Sequence, residues 1–192
     1  MTTPDSIHII DNLIDESQCD YFVNKMLQRR EARELLMWND IPGVLVPNTD
    51  KEDQEFISEV TDKTIQHIKD AYKFTNVLNT FDSNLYLWRT GVESQFHVDN
   101  SDHNHDSKYN IFASVFYLND DYEGGELSFP NLNFSYKPRK NSAILFPVDF
   151  IADWSKIFND APHAHKVEKV LSGFRITVAS WFNSGKTNYV SK

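Results

Sequence analysis

The sequence predicts a mainly β fold with supporting helices at the N-terminal end, built as a sandwich or a jelly roll. Two observations favour this class: helical periodicity is confined to about the first 80 residues, and short β-rich runs follow from Asn84 onward. No helical pattern separates these runs. This spacing therefore argues against a parallel α/β sheet, whose strands alternate with helices.

A chain of 192 residues is expected to form a single domain, 1–192, with a helical front at 1–80 and a β core at 84–183. Its hydrophobic share of 40% and charged share of 24% are those of a globular protein. A chain of this length is long enough to bury a substantial core.

Two helices are predicted in the front half. The first begins at Glu16 after Asp15 as N-cap, and its apolar stripe consists of Cys19, Phe22, Val23, Met26 and Leu27. The second runs from about Glu52 to Tyr72 and carries Phe56, Val60 and Ile68 on one face. A short apolar stretch at Ile7, Ile9 and Ile10 ends in a turn. Pro42-Gly43 and Pro47-Asn48 predict a loop between the helices.

Six strands are predicted in the back half, because each run is rich in β-branched and aromatic residues and is bounded by turn signals. They are Leu85–Arg89, Asn110–Asn119, Glu126–Phe129, Ala143–Val148, His165–Val170 and Arg175–Phe182. Gly124-Gly125 and Ser172-Gly173 mark two of the connections.

Charge and composition restrict the partners. A net charge of −9 disfavours nucleic acid, which requires clustered Lys and Arg, and a basic peptide or protein fits better. The longest apolar run, 111–118, is too short to span a membrane, so no membrane association is expected. The first residues lack the pattern of a secretory signal, and one cysteine, Cys19, excludes an internal disulfide. A cytoplasmic location is the expectation.

His97 and Asp99 are candidate metal ligands. Their spacing would place both side chains on one face of a strand, although His-x-Asp also occurs often on ordinary polar surfaces. His165, at the start of a later predicted strand, could supply the third ligand. Two imidazoles and one carboxylate bind one face of Fe(II) and leave three positions open.

Arg175 follows ten residues after His165. A 2-oxo acid chelates iron through its carboxylate and keto oxygens, and its remote carboxylate then suits a planar guanidinium that donates two hydrogen bonds. The alternative interpretation is that Arg175 is a surface residue at a strand start.

Several segments together resemble the Fe(II)/2-oxoglutarate-dependent dioxygenases, and the closest branch is similar to the prolyl 4-hydroxylases. The resemblance covers about Leu85 to Phe182 and the entry to the first helix. In chain order the segments are Gln95-Phe96-His97-Val98-Asp99, Tyr117-Leu118-Asn119, Glu123-Gly124-Gly125-Glu126-Leu127, Leu145-Phe146-Pro147 and the pattern His165-x-Val167-x-x-Val170-x-x-Gly173-x-Arg175.

The resemblance implies a double-stranded β-helix, or jelly roll, with Fe(II) held by His97, Asp99 and His165. It implies that Arg175 binds the remote carboxylate of 2-oxoglutarate and that Tyr117 donates its hydroxyl to the same group. The implied reaction consumes O2 and 2-oxoglutarate, releases succinate and CO2, and hydroxylates a side chain, foremost proline in a protein or peptide. Ascorbate is a further candidate cofactor.

Two positions depart from the family pattern. Many members have a tyrosine where this chain has Trp88, which leaves the local cosubstrate contacts open. Collagen-type prolyl hydroxylases use lysine where Arg175 stands, so the chain resembles the arginine-bearing intracellular members, and collagen is not the expected substrate.

Some alternatives stay open at this level. His163 could replace His165 as the third ligand, although the Val-x-x-Val-x-x-Gly-x-Arg register favours His165. Arg89 or Lys166 could bind the carboxylate in place of Arg175. The polar segment Asp102–Asp106 is expected to form a solvated lid. The alternative functions are hydroxylation of a free amino acid or small metabolite, and a non-catalytic β-helix binding or structural protein.

Overall fold

The computed structural model describes residues 2–32, 36–38, 41–45, 50–101, 110–151 and 154–184. The predicted turn at Pro47-Asn48 and the predicted lid at Asp102–Asp106 lie outside these residues. No helix of the described part is long and apolar enough to cross a membrane.

The described residues contain three α-helices, two short 3-10 helices and fourteen strands. The α-helices are α1 (Glu16–Ala32), α2 (Lys51–Tyr72) and α3 (Ile157–Asp160), and the 3-10 helices are Pro130–Leu132 and Trp154–Lys156. The strands are β1 (His8–Asp11), β2 (Leu36–Trp38), β3 (Ile41–Leu45), β4 (Asn79–Arg89), β5 (Asn100–Ser101), β6 (Asn110–Tyr117), β7 (Glu123–Gly124), β8 (Leu127–Phe129), β9 (Phe134–Tyr136), β10 (Ser142–Pro147), β11 (Phe150–Ile151), β12 (Lys166–Val167), β13 (Val170–Ser172) and β14 (Phe174–Asn183).

The main sheet has seven antiparallel strands in the order β1-β10-β6-β14-β4-β3-β2. Smaller pairings lie beside it: a three-stranded sheet β12-β8-β9, the antiparallel pair β13-β7 and the parallel pair β11-β5. Antiparallel sheets with two long helices in the N-terminal part confirm the predicted mainly β class and agree with a jelly roll. The first 80 residues are not only helical, however, because β1, β2 and β3 join the main sheet.

Strand alternation gives the main sheet two different faces. On β14, Ile176 and Val178 pack into a core with α1 and α2, whose apolar residues include Phe22, Met26 and Phe56. The intervening Arg175, Thr177 and Ala179 line a cavity on the opposite face. The helices therefore stabilise the back of the sheet, and the front face is free to carry a site.

Both long helices begin as predicted. Asp15 accepts a hydrogen bond from the backbone N–H of Ser17 (2.8 Å) ahead of α1, and Asp50 accepts one from Asp53 (2.9 Å) ahead of α2. Each satisfies one N–H group that the first helical turn leaves unpaired. Helix α2 ends at Tyr72, and the φ of 53° at the following residue, Lys73, turns the backbone out of the helix.

The loop prediction at Pro42-Gly43 was wrong. These residues belong to β3, where Pro42 pairs with Met37 of β2 and Gly43 pairs with Tyr86 of β4. The turn propensity of Pro-Gly is a local property. It is overridden here because the hairpin extends the main sheet beside β4.

The predicted strand His165–Val170 is divided. Its first part, β12, pairs with β8, and β13 pairs with β7, so the chain changes partners between Val167 and Val170. The partner segment bends at Gly124 and Gly125, whose φ angles are 71° and 68°. One straight strand cannot follow that bend, and His165 is left in an isolated bridge.

Candidate metal and cosubstrate site

A single antiparallel bridge joins His97 to His165. The backbone N–H of His97 donates to the carbonyl of His165 (2.9 Å), and the N–H of His165 donates to the carbonyl of His97 (2.8 Å). The imidazole centroids lie 4.5 Å apart. Two residues far apart in the sequence thus present their rings to the same point. The prediction that His97 and Asp99 lie on a strand was wrong, because only His97 is paired and Asp99 lies in a bend.

Asp99 completes this trio. Its Oδ1 is 3.6 Å from Nε2 of His97 and 3.9 Å from Nε2 of His165. One ligand atom from each of the three residues lies within 4.8 Å of the others. Three such atoms around a common point form a group that could hold a metal ion through two imidazoles and one carboxylate.

The hydrogen bonds of the two histidines fix their tautomers. Nδ1 of His97 lies 2.8 Å from the carbonyl oxygen of Gln95, and Nδ1 of His165 lies 3.0 Å from that of His163. A carbonyl can only accept, so both Nδ1 atoms carry the proton. In the neutral rings, both Nε2 atoms are therefore left with a lone pair on the side of Asp99, which is the arrangement that a metal ion requires.

Electrostatics favour the ligand forms of Asp99 and His165. Burial lowers the pKa of His165 to about 4, so its ring is neutral at neutral pH. Burial disfavours the charge on Asp99, but His165, His97 and a hydrogen bond from Trp181 outweigh it and hold the pKa of Asp99 below its ordinary value. For His97, burial is outweighed by the hydrogen bond and charge of Asp99, which raise its pKa.

The rival ligand His163 points elsewhere. Its Nδ1 is 3.0 Å from Oδ1 of Asp149 and its Nε2 is 2.9 Å from Oγ of Ser6. Successive residues alternate between faces only in a regular strand, and residues 163 and 164 are not in one. The structure brings His165 to His97 and Asp99 and leaves His163 outside the trio.

The trio opens into a cavity of about 550 Å³ on the front of the main sheet. Arg175 lines the same cavity from β14. Most of the remaining wall is apolar or aromatic, and includes Tyr86, Trp88, Val115, Leu127, Phe146, Val167 and Trp181. The trio and the buried Arg175 therefore line the same, largely apolar cavity. Small-molecule sites generally have this character: an apolar wall with a few polar groups at fixed positions.

Arg175 is 1% exposed and lies between two aromatic rings. Its Cζ is 5.1 Å from the ring of Trp88 and 5.1 Å from the ring of Tyr117. Trp88 stands directly opposite Arg175 in the β4–β14 register. No carboxylate of the described residues forms an ion pair with this guanidinium within 4.0 Å, so a buried charge is left without a counter-charge from that part of the chain.

Five buried donors around Arg175 have no partner among the described residues. They are Nε and Nη2 of Arg175, the hydroxyls of Tyr117 and Tyr122, and the indole N–H of Trp88. Burial, opposed by the nearby guanidinium, raises the pKa of Tyr117 to about 12, so its hydroxyl keeps its proton. Unpaired buried donors are costly, and this set fits an acceptor-rich anion such as a carboxylate.

The second residue of the Gly124-Gly125 pair, Gly125, has to be a glycine because of its close neighbours. A Cβ at this position would lie 3.0 Å from Cδ of Arg175 and 3.2 Å from the ring of Tyr122. The φ of 68° also lies in the region that L side chains rarely adopt. The glycine therefore lets the chain pass directly against the arginine stem.

Two donors in this cluster went unrecognised in the sequence. In the sequence, Trp88 stands out only as a departure from the family pattern, and Tyr122 belongs to none of the matched segments. The position of Trp88 four residues into a predicted strand could have indicated a side chain facing the front of the sheet. Nothing in the sequence indicates that Tyr122 folds back onto Arg175. Arg89 and Lys166, the alternative cations, do not line the cavity.

Comparisons with known proteins agree with this geometry. The family model described as the 2OG-Fe(II) oxygenase superfamily matches residues 82–183. No curated protein sequence matches the chain.

Solved structures share the fold at low identity. A viral collagen prolyl hydroxylase from Paramecium bursaria Chlorella virus-1, in complex with 2OG, is 21% identical, with a TM-score of 0.70 over 94% of this chain and 97% of that one. A Pseudomonas putida prolyl-4-hydroxylase is 13% identical, with a TM-score of 0.67 over 93% and 92%. A Trichoplax adhaerens prolyl hydroxylase, in complex with a hypoxia inducible factor peptide fragment, is 16% identical, with a TM-score of 0.70 over 98% and 88%.

The family match covers just over half of the 192 residues and includes the trio and Arg175. The trio His97, Asp99 and His165 fits an iron ion, and the hydrogen-bond donors around Arg175 fit the remote carboxylate of a dicarboxylic oxo acid. The chain therefore belongs to the 2OG-Fe(II) oxygenase superfamily and is a dioxygenase that uses Fe(II), 2-oxoglutarate and O2.

Proposed function

We propose that this dioxygenase hydroxylates a prolyl side chain in a protein or peptide. In this proposal His97, Asp99 and His165 hold the iron, and Arg175 with Tyr117 binds the remote carboxylate of 2-oxoglutarate. The observation that carries the proposal is the shared cavity, into which both the trio and the unpaired guanidinium open.

Iron with bound 2-oxoglutarate supplies the activation of O2 and the oxidation of a C–H bond. The protein's own part is to bind, orient and exclude water. The Nε2 lone pairs and Asp99 fix the metal position, and the donors around Arg175 orient the cosubstrate from its far end. Apolar residues such as Leu127, Phe146 and Val167 limit water in the chamber.

The cavity wall also supports an apolar target. Val115, Ala179 and Trp181 line the cavity, remain partly exposed and are uncharged, and the exposed Glu93 also lines it. A pyrrolidine ring suits such a surface. Prolyl hydroxylases share the fold, and one of them was solved with a peptide fragment, which supports a peptide substrate. The net charge of −9 favours association with basic segments.

The test has two stages. Anaerobic addition of Fe(II) and 2-oxoglutarate should produce a visible metal-to-ligand charge-transfer band in the wild type and none in His97→Ala or Asp99→Ala. Tyr136→Phe, outside the cavity lining, should keep the band. Absence of the band from folded, iron-loaded wild type would contradict the assigned chelation.

In the second stage, O2 is admitted with a library of proline-containing peptides or with a mixture of free amino acids. We expect mass spectrometry to find one added oxygen on a peptide proline, with matched succinate release. Oxygen added only to a free amino acid would establish the alternative of a small-metabolite hydroxylase. Binding of 2-oxoglutarate without any turnover would favour a non-catalytic binding protein.

A further inference from the structure

We propose that Ser6, His163 and Asp149 form a clasp that positions the metal ligand His165. These three residues, called the Ser6 clasp below, lie outside the cavity lining. The inference deepens the proposed function and rests on its assignment of His165 as a ligand. His163, Asp149 and Ser6 would then be positioning residues.

Asp149 holds His163 at two points. Its Oδ2 accepts the backbone N–H of His163 (2.5 Å), and its Oδ1 lies 3.0 Å from Nδ1 of the same residue. A carboxylate that accepts a backbone N–H and an imidazole N–H together fixes both the peptide plane and the ring of His163.

The ring of His163 is held at both nitrogens. Nδ1 donates to the carboxylate of Asp149, and Nε2 is hydrogen-bonded to the hydroxyl of Ser6 (2.9 Å). Serine hydrolases use the same order of bonds. Ser6, however, does not line the site cavity, so these hydrogen bonds hold His163 in place and do not form a catalytic group.

Ser6 is itself anchored from the opposite side. Its carbonyl accepts a hydrogen bond from the hydroxyl of Tyr72 (2.8 Å), which also lies 3.1 Å from the carbonyl of Leu145. The next residue, Ile7, is 3% exposed and packs in the core below the cavity. The clasp therefore ties the loop before His165 to the end of α2 and to β10.

The clasp reaches the metal site through one carbonyl. The oxygen of His163 accepts the Nδ1–H of His165 at 3.0 Å, so the peptide that Asp149 holds also sets the rotation of the ligand ring. His97 is oriented in the same way by Gln95, an exposed residue. The side chain of His97 is 37% exposed and that of His165 is 7%. His165 is therefore the more buried of the two histidines, and its orienting carbonyl belongs to a residue that is itself held by side-chain contacts.

The experiment measures metal binding by the full chain without cosubstrate. Mn(II) affinity is determined by calorimetry, the d–d absorption spectrum is recorded with Co(II), and folding is followed by circular dichroism. Asp149→Ala removes both contacts and should weaken Mn(II) binding by about 10–100-fold, as removal of an outer-shell partner does, and should alter the Co(II) spectrum. Asp149→Asn retains an acceptor for the backbone N–H and should recover most of the affinity.

Asp70→Ala is the matched control, because Asp70 accepts from Gln66 on the exposed surface of α2. It should leave the affinity and the Co(II) spectrum unchanged. If the wild-type protein itself does not bind Mn(II), the proposed metal site is overturned. Wild-type affinity and spectrum in folded Asp149→Ala would overturn the clasp alone. If Asp149→Ala does not fold, His163→Gln decides: an altered Co(II) spectrum supports the clasp, and an unchanged one overturns it.

Discussion

At the scale of single residues, the donors around Arg175 carry most of the information about the ligand. A guanidinium that is 1% exposed, with Nε and Nη2 unpaired, is unfavourable until an anion enters. The hydroxyls of Tyr117 and Tyr122 and the indole of Trp88 add neutral donors to the same region. Substitutions at these positions should therefore lower the affinity for 2-oxoglutarate without lowering the stability of the ligand-free protein.

Arg175→Lys should lower the affinity for 2-oxoglutarate by about one to two decades. Lysine keeps the charge but cannot offer two aligned N–H groups, and a hydrogen bond to a charged group contributes roughly 1.5–3 kcal/mol. Calorimetry with saturating Mn(II) measures the loss, and Mn(II) affinity should stay unchanged. Equal 2-oxoglutarate affinity in the two proteins would mean that another cation binds the carboxylate.

Tyr122→Phe should weaken 2-oxoglutarate binding by about tenfold without loss of stability in the ligand-free protein. The Tyr122 hydroxyl is buried there and has no hydrogen-bond partner within 3.5 Å among the described residues, so its removal should cost little stability. Tyr136→Phe is the matched control: its hydroxyl donates to Ser142 (2.7 Å), and its loss should lower stability by about 1 kcal/mol while 2-oxoglutarate affinity is kept. Urea unfolding and calorimetry give the two quantities. Wild-type affinity in Tyr122→Phe would exclude this hydroxyl from the cosubstrate site.

At the scale of elements, an ion-pair network fastens α1 to the start of α2. Asp53 is fully buried, with Lys25 at 2.9 Å and Arg29 at 2.6 Å, and both cations also contact Asp50. Asp50 is in addition the N-cap of α2. Together with the stacked rings of Phe22 and Phe56, 3.7 Å apart, the network sets the helix pair against the back of the main sheet.

Asp53→Ala should therefore lower the free energy of unfolding by about 3 kcal/mol, because it leaves two cations short of a buried partner. Glu55→Ala removes the exposed pair with Lys51 at 3.1 Å and should cost about 0.5 kcal/mol or less. Urea midpoints at equal slope measure both losses. A loss in Asp53→Ala no larger than in Glu55→Ala would show that the network contributes little to stability.

At the scale of the whole molecule, the cavity couples ligand binding to folding. Its walls come from β4, β6, β8, β10 and β14 and from the segments that carry His97 and His165, so an occupant contacts elements spread over residues 86–181. A ligand that binds only the folded state adds about 2.7 kcal/mol at a concentration of 100 times its Kd.

For a chain of this length, that increment should raise the thermal midpoint by about 5–10 °C when Mn(II) and 2-oxoglutarate are both present. Pyruvate, a 2-oxo acid without the remote carboxylate, should give a much smaller rise because it leaves the Arg175 donors unpaired. Differential scanning fluorimetry on the full chain measures both shifts of the thermal midpoint. Equal shifts with pyruvate and 2-oxoglutarate would contradict the role of Arg175.

The sequence alone was sufficient for the fold class, the start of each long helix and most central strands, since these depend on local periodicity and capping. The motif register also selected His97, Asp99, His165 and Arg175, which the structure places around one cavity. Within each helix, strand or motif, these features are encoded by residue types at short, fixed spacings.

Only the tertiary structure decided the rest, because it depends on contacts between distant segments. Pro42-Gly43 became part of a strand through pairing with β4, and His163 was turned away from the metal site by Asp149 and Ser6. Tyr122 reached Arg175 through a bend at Gly124-Gly125. Local propensity carries no information about such partners, since the free energy that selects them arises only when the segments meet.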